Sequence, residues 1–118
     1  MLYDAKGFDR IYIATGYTDM RKGIDGLIAK VGYEMGLNPF QERVLFLFCG
    51  RASNKIKGLV WEKDGFLLLY KRVDKGSYIC PRTPGEAMTL TQEQFERLMS
   101  GFVIESRIKP SRPKTIVN

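Results

Sequence analysis

The spacing of apolar residues along the chain changes several times, and each change marks an element. Arg10-Ile-Tyr-Ile-Ala14 has the β-branched and aromatic content of a strand, and Thr15-Gly16 stops it. The period then lengthens. Met20, Ile24, Leu27, Ile28, Val31 and Met35 fall on one stripe of an amphipathic helix predicted over 19–34, with Thr18 or Asp19 as its N-cap. Gly23, Gly26 and Gly32 weaken that helix and point to close packing against a sheet, and Asn38-Pro39 breaks it.

Val44-Leu-Phe-Leu-Phe48 is a continuous apolar run, suited to a central strand buried on both faces. Segments 56–62 and 66–73 flank Asp64-Gly65, a two-residue hairpin signal. A two-residue loop sets Trp61 opposite Leu68, Leu59 opposite Tyr70 and Lys57 opposite Arg72, all on one face. A second turn at Asp74-Lys-Gly76 predicts a third meander strand, Ser77-Tyr-Ile-Cys80, stopped by Pro81, with a loop to Leu90. Thr91-Gln-Glu-Gln94 matches a capping box, and Phe95, Leu98 and Met99 form the apolar face of a last helix. The order β-α-β-β-β-β-α predicts an α+β fold. Its mostly antiparallel sheet of about five strands is packed by helices, chiefly on one face. Residues 1–101 read as a single domain and 102–118 as an extended or disordered basic tail.

Charge narrows the class of partner. Nineteen Lys and Arg against thirteen Asp and Glu give a net charge of +6 and favour a polyanion. The tail holds Arg107, Lys109, Arg112 and Lys114 against Glu105, a net of +3, so the other half of the excess lies on the body. Candidate DNA contacts are Arg21 and Lys22 in the turn after the first strand, and Arg51, Lys55 and Lys57 around the second connection. Lys71 and Arg72 on the hairpin and Lys109, Arg112 and Lys114 in the tail complete the set. Lys57 and Arg72 share a face with Tyr70, Trp61 and Phe66, which is either a base-stacking platform or a core with lysine and arginine stems reaching past it.

The catalytic inventory is thin. Histidine is absent, which removes the commonest general base and the Ser-His and Cys-His nucleophile pairs. Gly16 to Lys22 lacks the second glycine and the hydroxyl of a nucleotide-binding loop. Cys49 and Cys80 form no CxxC pair and read as small buried hydrophobes, so no metal or other cofactor is expected. Asp19, Asp25 and Glu62 are the carboxylates a Mg²⁺-dependent nuclease could recruit. No run reaches the roughly 18 apolar residues of a membrane span, and the first residues lack a signal peptide's apolar segment, so the expected location is cytoplasmic, with no membrane partner.

Several motifs taken together carry a resemblance. They are Tyr12-Ile-Ala-Thr-Gly-Tyr-Thr-Asp-Met-Arg-Lys-Gly-Ile-Asp-Gly-Leu27, Asn38-Pro-Phe40, Val44 to Phe48, Asn54-Lys-Ile-Lys57, Trp61, Asp64-Gly-Phe66, Tyr70-Lys-Arg72 and Gly76. Over about residues 8–101 the chain resembles the TnpB-type accessory proteins, products of the second open reading frame of bacterial insertion-sequence 66 elements. It departs from them at Ile79-Cys-Pro81, where the family shows an aromatic before the proline. The resemblance implies a non-enzymatic accessory protein of transposition, working beside the transposase and other element-encoded proteins, with no small-molecule substrate. The expected function is a DNA-associated component of a transposition complex that contacts the element ends. The alternative is a protein adaptor for the transposase without direct DNA contact, and the third is a Mg²⁺-dependent nuclease.

Overall fold

The computed structural model describes residues 7–81 and 87–100. Five strands, β1 (Arg10–Ala14), β2 (Val44–Cys49), β3 (Lys55–Trp61), β4 (Phe66–Arg72) and β5 (Ala87–Leu90), form one sheet in the order β4-β3-β2-β1-β5. The apolar run of β2 is buried at every position, as a strand covered on both faces requires. It pairs in parallel with β1 and antiparallel with β3, and the parallel pair needs a crossover, supplied by the helical segment between them.

Strand alternation divides the core in two. Ile11, Ile13, Leu45, Leu47, Ile56 and Val60 point to one face, where the helix α2 (Gln92–Met99) lays down Phe95, Leu98 and Met99. Ala14, Val44, Phe46, Phe48 and Leu59 point to the other, beneath Leu27 and Val31 of α1 (Ile24–Ala29) and its extension. The helices therefore cover opposite faces rather than chiefly one, because β2 is apolar on both sides and either face left open would expose two phenylalanines or two leucines. Full burial of each such side chain contributes about 1.5–3 kcal/mol.

Four local expectations change. First, α1 begins at Ile24, and its N-cap is Gly23 with no side-chain cap bond, so neither Thr18 nor Asp19 caps it. The predicted stripe still packs, because residues 19–23 reach the same core as a loop and the helix continues as a π-helical turn, Lys30–Glu34. Met35 donates to Lys30 O at 3.0 Å, and the turn closes where Leu37 donates to Val31 O at 3.0 Å around Gly36, at φ +67°, before Asn38-Pro39 is reached. Gly23 and Gly32 face open space, so they serve no close approach to the sheet.

Second, the β3–β4 pairing is displaced by two residues. Trp61 pairs with Phe66, Leu59 with Leu68, Lys57 with Tyr70 and Lys55 with Arg72. The loop is four residues, 62–65, with Lys63 at φ +71°, and Glu62 donates to Gly65 O at 2.8 Å. A slip of two preserves the face of every side chain, so the platform residues stay together. Third, Ser77 to Cys80 is no meander strand. Tyr78 donates to Ser53 O at 2.7 Å, which ties this segment to a loop rather than to β4. The fifth strand is β5, inside the stretch expected as a loop; it pairs antiparallel with β1 and sends Met88 and Leu90 into the α2 core. Fourth, Cys49 and Cys80 form a disulfide, with Cα atoms 6.4 Å apart.

At the start of α2 the sequence signal holds. Thr91 Oγ1 accepts from the Gln94 amide at 3.1 Å and Gln94 Oε1 from the Thr91 amide at 2.8 Å, a complete capping box.

Candidate nucleic-acid interface

The carboxyl ends of the parallel strands β1 and β2 lie side by side, and three segments distant in sequence are stitched over them. Gly16, at φ +80°, donates to Pro81 O at 3.0 Å, and Thr18 donates to Cys49 O at 2.7 Å. The connection after β2 turns back where Lys55 donates to Ala52 O at 3.3 Å. Val73 donates to Asn54 O at 2.9 Å, and the disulfide fixes the 77–81 segment to the last residue of β2.

Loop 17–22 is organised from within by Asp19. Its carboxylate accepts from the Arg21 amide at 2.9 Å and from Arg21 Nε and Nη2 at 3.1 and 2.9 Å. These bonds hold the Asp19 carboxyl well below the ordinary carboxylate range, at about 2, and raise the Arg21 guanidinium. Arg21 therefore pairs internally, and its charge is offset at once.

Beneath the loop, Lys57 turns inward. It is only 8% exposed, and its Nζ donates to Met20 O at 2.7 Å and Lys22 O at 2.8 Å, with the ring centre of Tyr70 5.2 Å away. An ammonium so placed satisfies two loop carbonyls that lie outside any helix or sheet. Lys57 is a clamp, not a surface contact. Its sequence setting hinted at this, since it lies between Ile56 and Leu59 on a strand otherwise buried.

An open cleft of about 410 Å³ lies between this loop and the connection, lined by Tyr17, Thr18, Asp19 and Met20 on one side and by Arg51, Ala52 and Lys55 on the other. Arg51 sits over the Tyr17 ring, 5.0 Å from its centre. With Asp19 matched by Arg21, Arg51 and Lys55 leave the lining with two positive charges. Arg72 stands opposite Lys55 in the β3–β4 ladder and is exposed, extending the basic surface across the sheet. Lys71, the next residue, lies on the opposite face. Lys22 runs its stem along Gly26, with methylene carbons 3.3–3.6 Å from the position of a Cβ there. The structure thus gathers Arg51, Lys55 and Arg72, with Arg21 at the rim. Lys109, Arg112 and Lys114 lie outside the described residues.

Sequence reasoning missed Tyr17, Thr18 and the disulfide. No spacing rule joins Tyr17 to Arg51 or Cys49 to Cys80; only the fold brings them together. The platform is core only in part: Leu59 is buried, Trp61 and Phe66 are half-buried and pack with the exposed Phe40 in a cluster of rings 4.9–5.2 Å apart, and Tyr70 is exposed. No group of three or more metal-ligating side chains is found among the described residues, and no helix among them is long and apolar enough to cross a membrane.

Compared with known proteins, the sequence matches the family described as IS66 Orf2-like protein over residues 9–109. The chain belongs to the IS66 Orf2-like family. Two relatives come from Sinorhizobium fredii (strain NBRC 101917 / NGR234). The uncharacterized protein y4hO is 37% identical over 93 residues, covering 79% of this chain and 80% of its own. The uncharacterized protein y4jC is 29% identical over 93 residues, covering 79% of each. No solved structure matches the chain. Membership makes this IS66 Orf2-like protein a transposition-associated accessory protein.

Proposed function

We propose that this IS66 Orf2-like protein is a non-catalytic component of a transposition complex that contacts DNA directly, through the basic surface of Arg51, Lys55 and Arg72. The observation that carries the reading is the cleft itself: its single acid, Asp19, is neutralised by Arg21, while Arg51 and Lys55 keep their charge facing solvent. A surface of this kind suits phosphate contacts, which position a protein on a duplex without reading its sequence.

The test is a salt series with a duplex carrying the element's terminal inverted repeat. Each phosphate contact contributes about 0.9 to the slope of log affinity against log salt. Arg51→Glu and Lys55→Glu are expected to weaken binding and flatten that slope. Absence of any salt-sensitive shift with the unmodified protein would sink the proposal.

A second reading has its own observation. Strand β4 is an edge of the sheet, and Leu67 and Tyr70 on it are exposed. An open edge is a template for strand addition by another protein, so the adaptor alternative places the transposase there. Co-purification with the transposase at high salt, without DNA, would favour it.

A further inference from the structure

The geometry points to a phosphate-binding subsite within the cleft, in which the Thr18 hydroxyl joins Lys55 and Arg51 as a third donor. The inference rests on the DNA-contact reading and makes it specific, because it assigns one backbone phosphate of the duplex to the cleft.

The observation is an orphan. Thr18 is 3% exposed, and among the described residues its Oγ1 has no hydrogen-bond partner. A buried hydroxyl left unpaired forfeits its hydrogen bonds to water, and natural folds seldom retain one without a use. Val in its place would have nearly the same shape, would keep the Thr18 amide bond to Cys49 O, and would carry no such cost. The local fold therefore gives no reason for the hydroxyl.

The lining supplies one. Thr18 lines the cleft together with Tyr17, Lys55 and Arg51. A rotation of about 120° about χ1 carries the hydroxyl to another staggered position, so a ligand oxygen in the cleft can draw the donor out. A tetrahedral oxyanion accepts several such bonds, and bonds to a charged acceptor are about twice as strong as neutral ones. Asp19 also borders the cleft, but both its oxygens accept from Arg21, which offsets the repulsion an anion would otherwise meet. The neighbouring orphan, Tyr78 Oη, has a different setting. The cavity it borders measures about 10 Å³, the room of a single water.

The experiment compares the full chain with Thr18→Val and Thr18→Ser in the same DNA salt series, alongside a titration with inorganic phosphate at constant ionic strength against a chloride control. Amide NMR signals of Thr18, Arg51 and Lys55 report the phosphate arm. Thr18→Val is expected to bind DNA about tenfold more weakly, the loss of one hydrogen bond to a charged group. The salt slope stays unchanged, because a hydroxyl releases no counterion. Thr18→Ser binds within about twofold of the parent, and Thr18→Val is at least as stable to heat. Phosphate, but not chloride, moves the three signals.

Thr18→Val binding DNA as tightly as the parent would overturn the subsite; if Lys55→Glu still loses binding, the DNA-contact reading stands without it. Should the parent bind no DNA while phosphate moves the Thr18 signals, the subsite stands, its occupant is a free phosphorylated ligand, and the DNA-contact reading fails. No DNA binding and no phosphate response overturns both. If Thr18→Val does not fold, Thr18→Ser and the phosphate titration decide alone.

Discussion

Lys57 Nζ donates to the carbonyl oxygen of Met20 at 2.7 Å, joining the middle of β3 to the loop that forms one wall of the cleft. Lys57→Met keeps the stem and removes the ammonium, leaving the Met20 and Lys22 carbonyls without their donor. The expected loss is about 2–4 kcal/mol, since charged hydrogen bonds and buried orphans both weigh on it. At roughly 5 °C per kcal/mol for a chain of this size, the thermal midpoint falls by about 10–20 °C. Lys55→Met is the comparison; a similar fall there would contradict the clamp.

Gly50 closes the same wall from beneath. A Cβ at this position would stand 2.7 Å from Met20 Cγ and 3.5 Å from Ala52 O. Because Lys57 holds the Met20 carbonyl, the backbone there is not free to withdraw, and the side chain must move. Gly50→Ala should cost about 1–3 kcal/mol, as overpacking does. Gly65→Ala, with nothing within 4 Å, should change stability by about 0.5 kcal/mol or less in denaturant titration.

Tyr78 gives the fold an alkaline limit. Burial pushes its phenol up to about 12 from the ordinary 10. The folded chain therefore keeps a proton that the unfolded chain loses above pH 10, so stability is complete below that pH and falls between 10 and 12, by an amount on the order of 2 kcal/mol. Tyr78→Phe removes this part of the fall and is at least as stable at pH 7. Equal alkaline curves for the two proteins, followed by circular dichroism, would count against it.

The disulfide spans 31 residues and ties the Tyr78 segment to β2. Closing a loop of that length stabilises by about 2–4 kcal/mol. Cys80→Ser should melt lower than the oxidised protein and at the same temperature as the reduced one. Alkylation under denaturing, non-reducing conditions should leave Cys49 and Cys80 unmodified.

What was readable in the sequence was whatever a short window encodes. Arg10–Ala14 and Val44–Cys49 carry their strand signal in five or six residues, and Thr91 to Gln94 spell out a cap that the structure completes. The four-residue Ala87–Leu90 strand is too short to show a period and was hidden by nearby Pro84-Gly85, although Ile11 and Ile13 need it as a neighbour. The hairpin register was lost because Asp64-Gly65 fits a two-residue turn equally well, and only Lys63 at positive φ distinguishes the longer one. At the site, charge was legible but its assignment was not. Arg21, Lys55 and Lys57 look alike in sequence, yet one is paired to Asp19, one lines the cleft, and one is buried beneath it.

Strand β1 sits between β2 and β5, so Ile11 has Leu45 on one side and Leu90 on the other. That arrangement imposes an order on folding during synthesis. The β2–β3–β4 meander is local and can pair while the chain is still emerging, whereas β1, made first, waits for residues some eighty positions later before its outer edge is covered. The cleft is lined by the loop after β1 and the connection after β2, and the 77–81 segment is bonded to both, so a growing chain cannot brace it until residue 81 has left the ribosome.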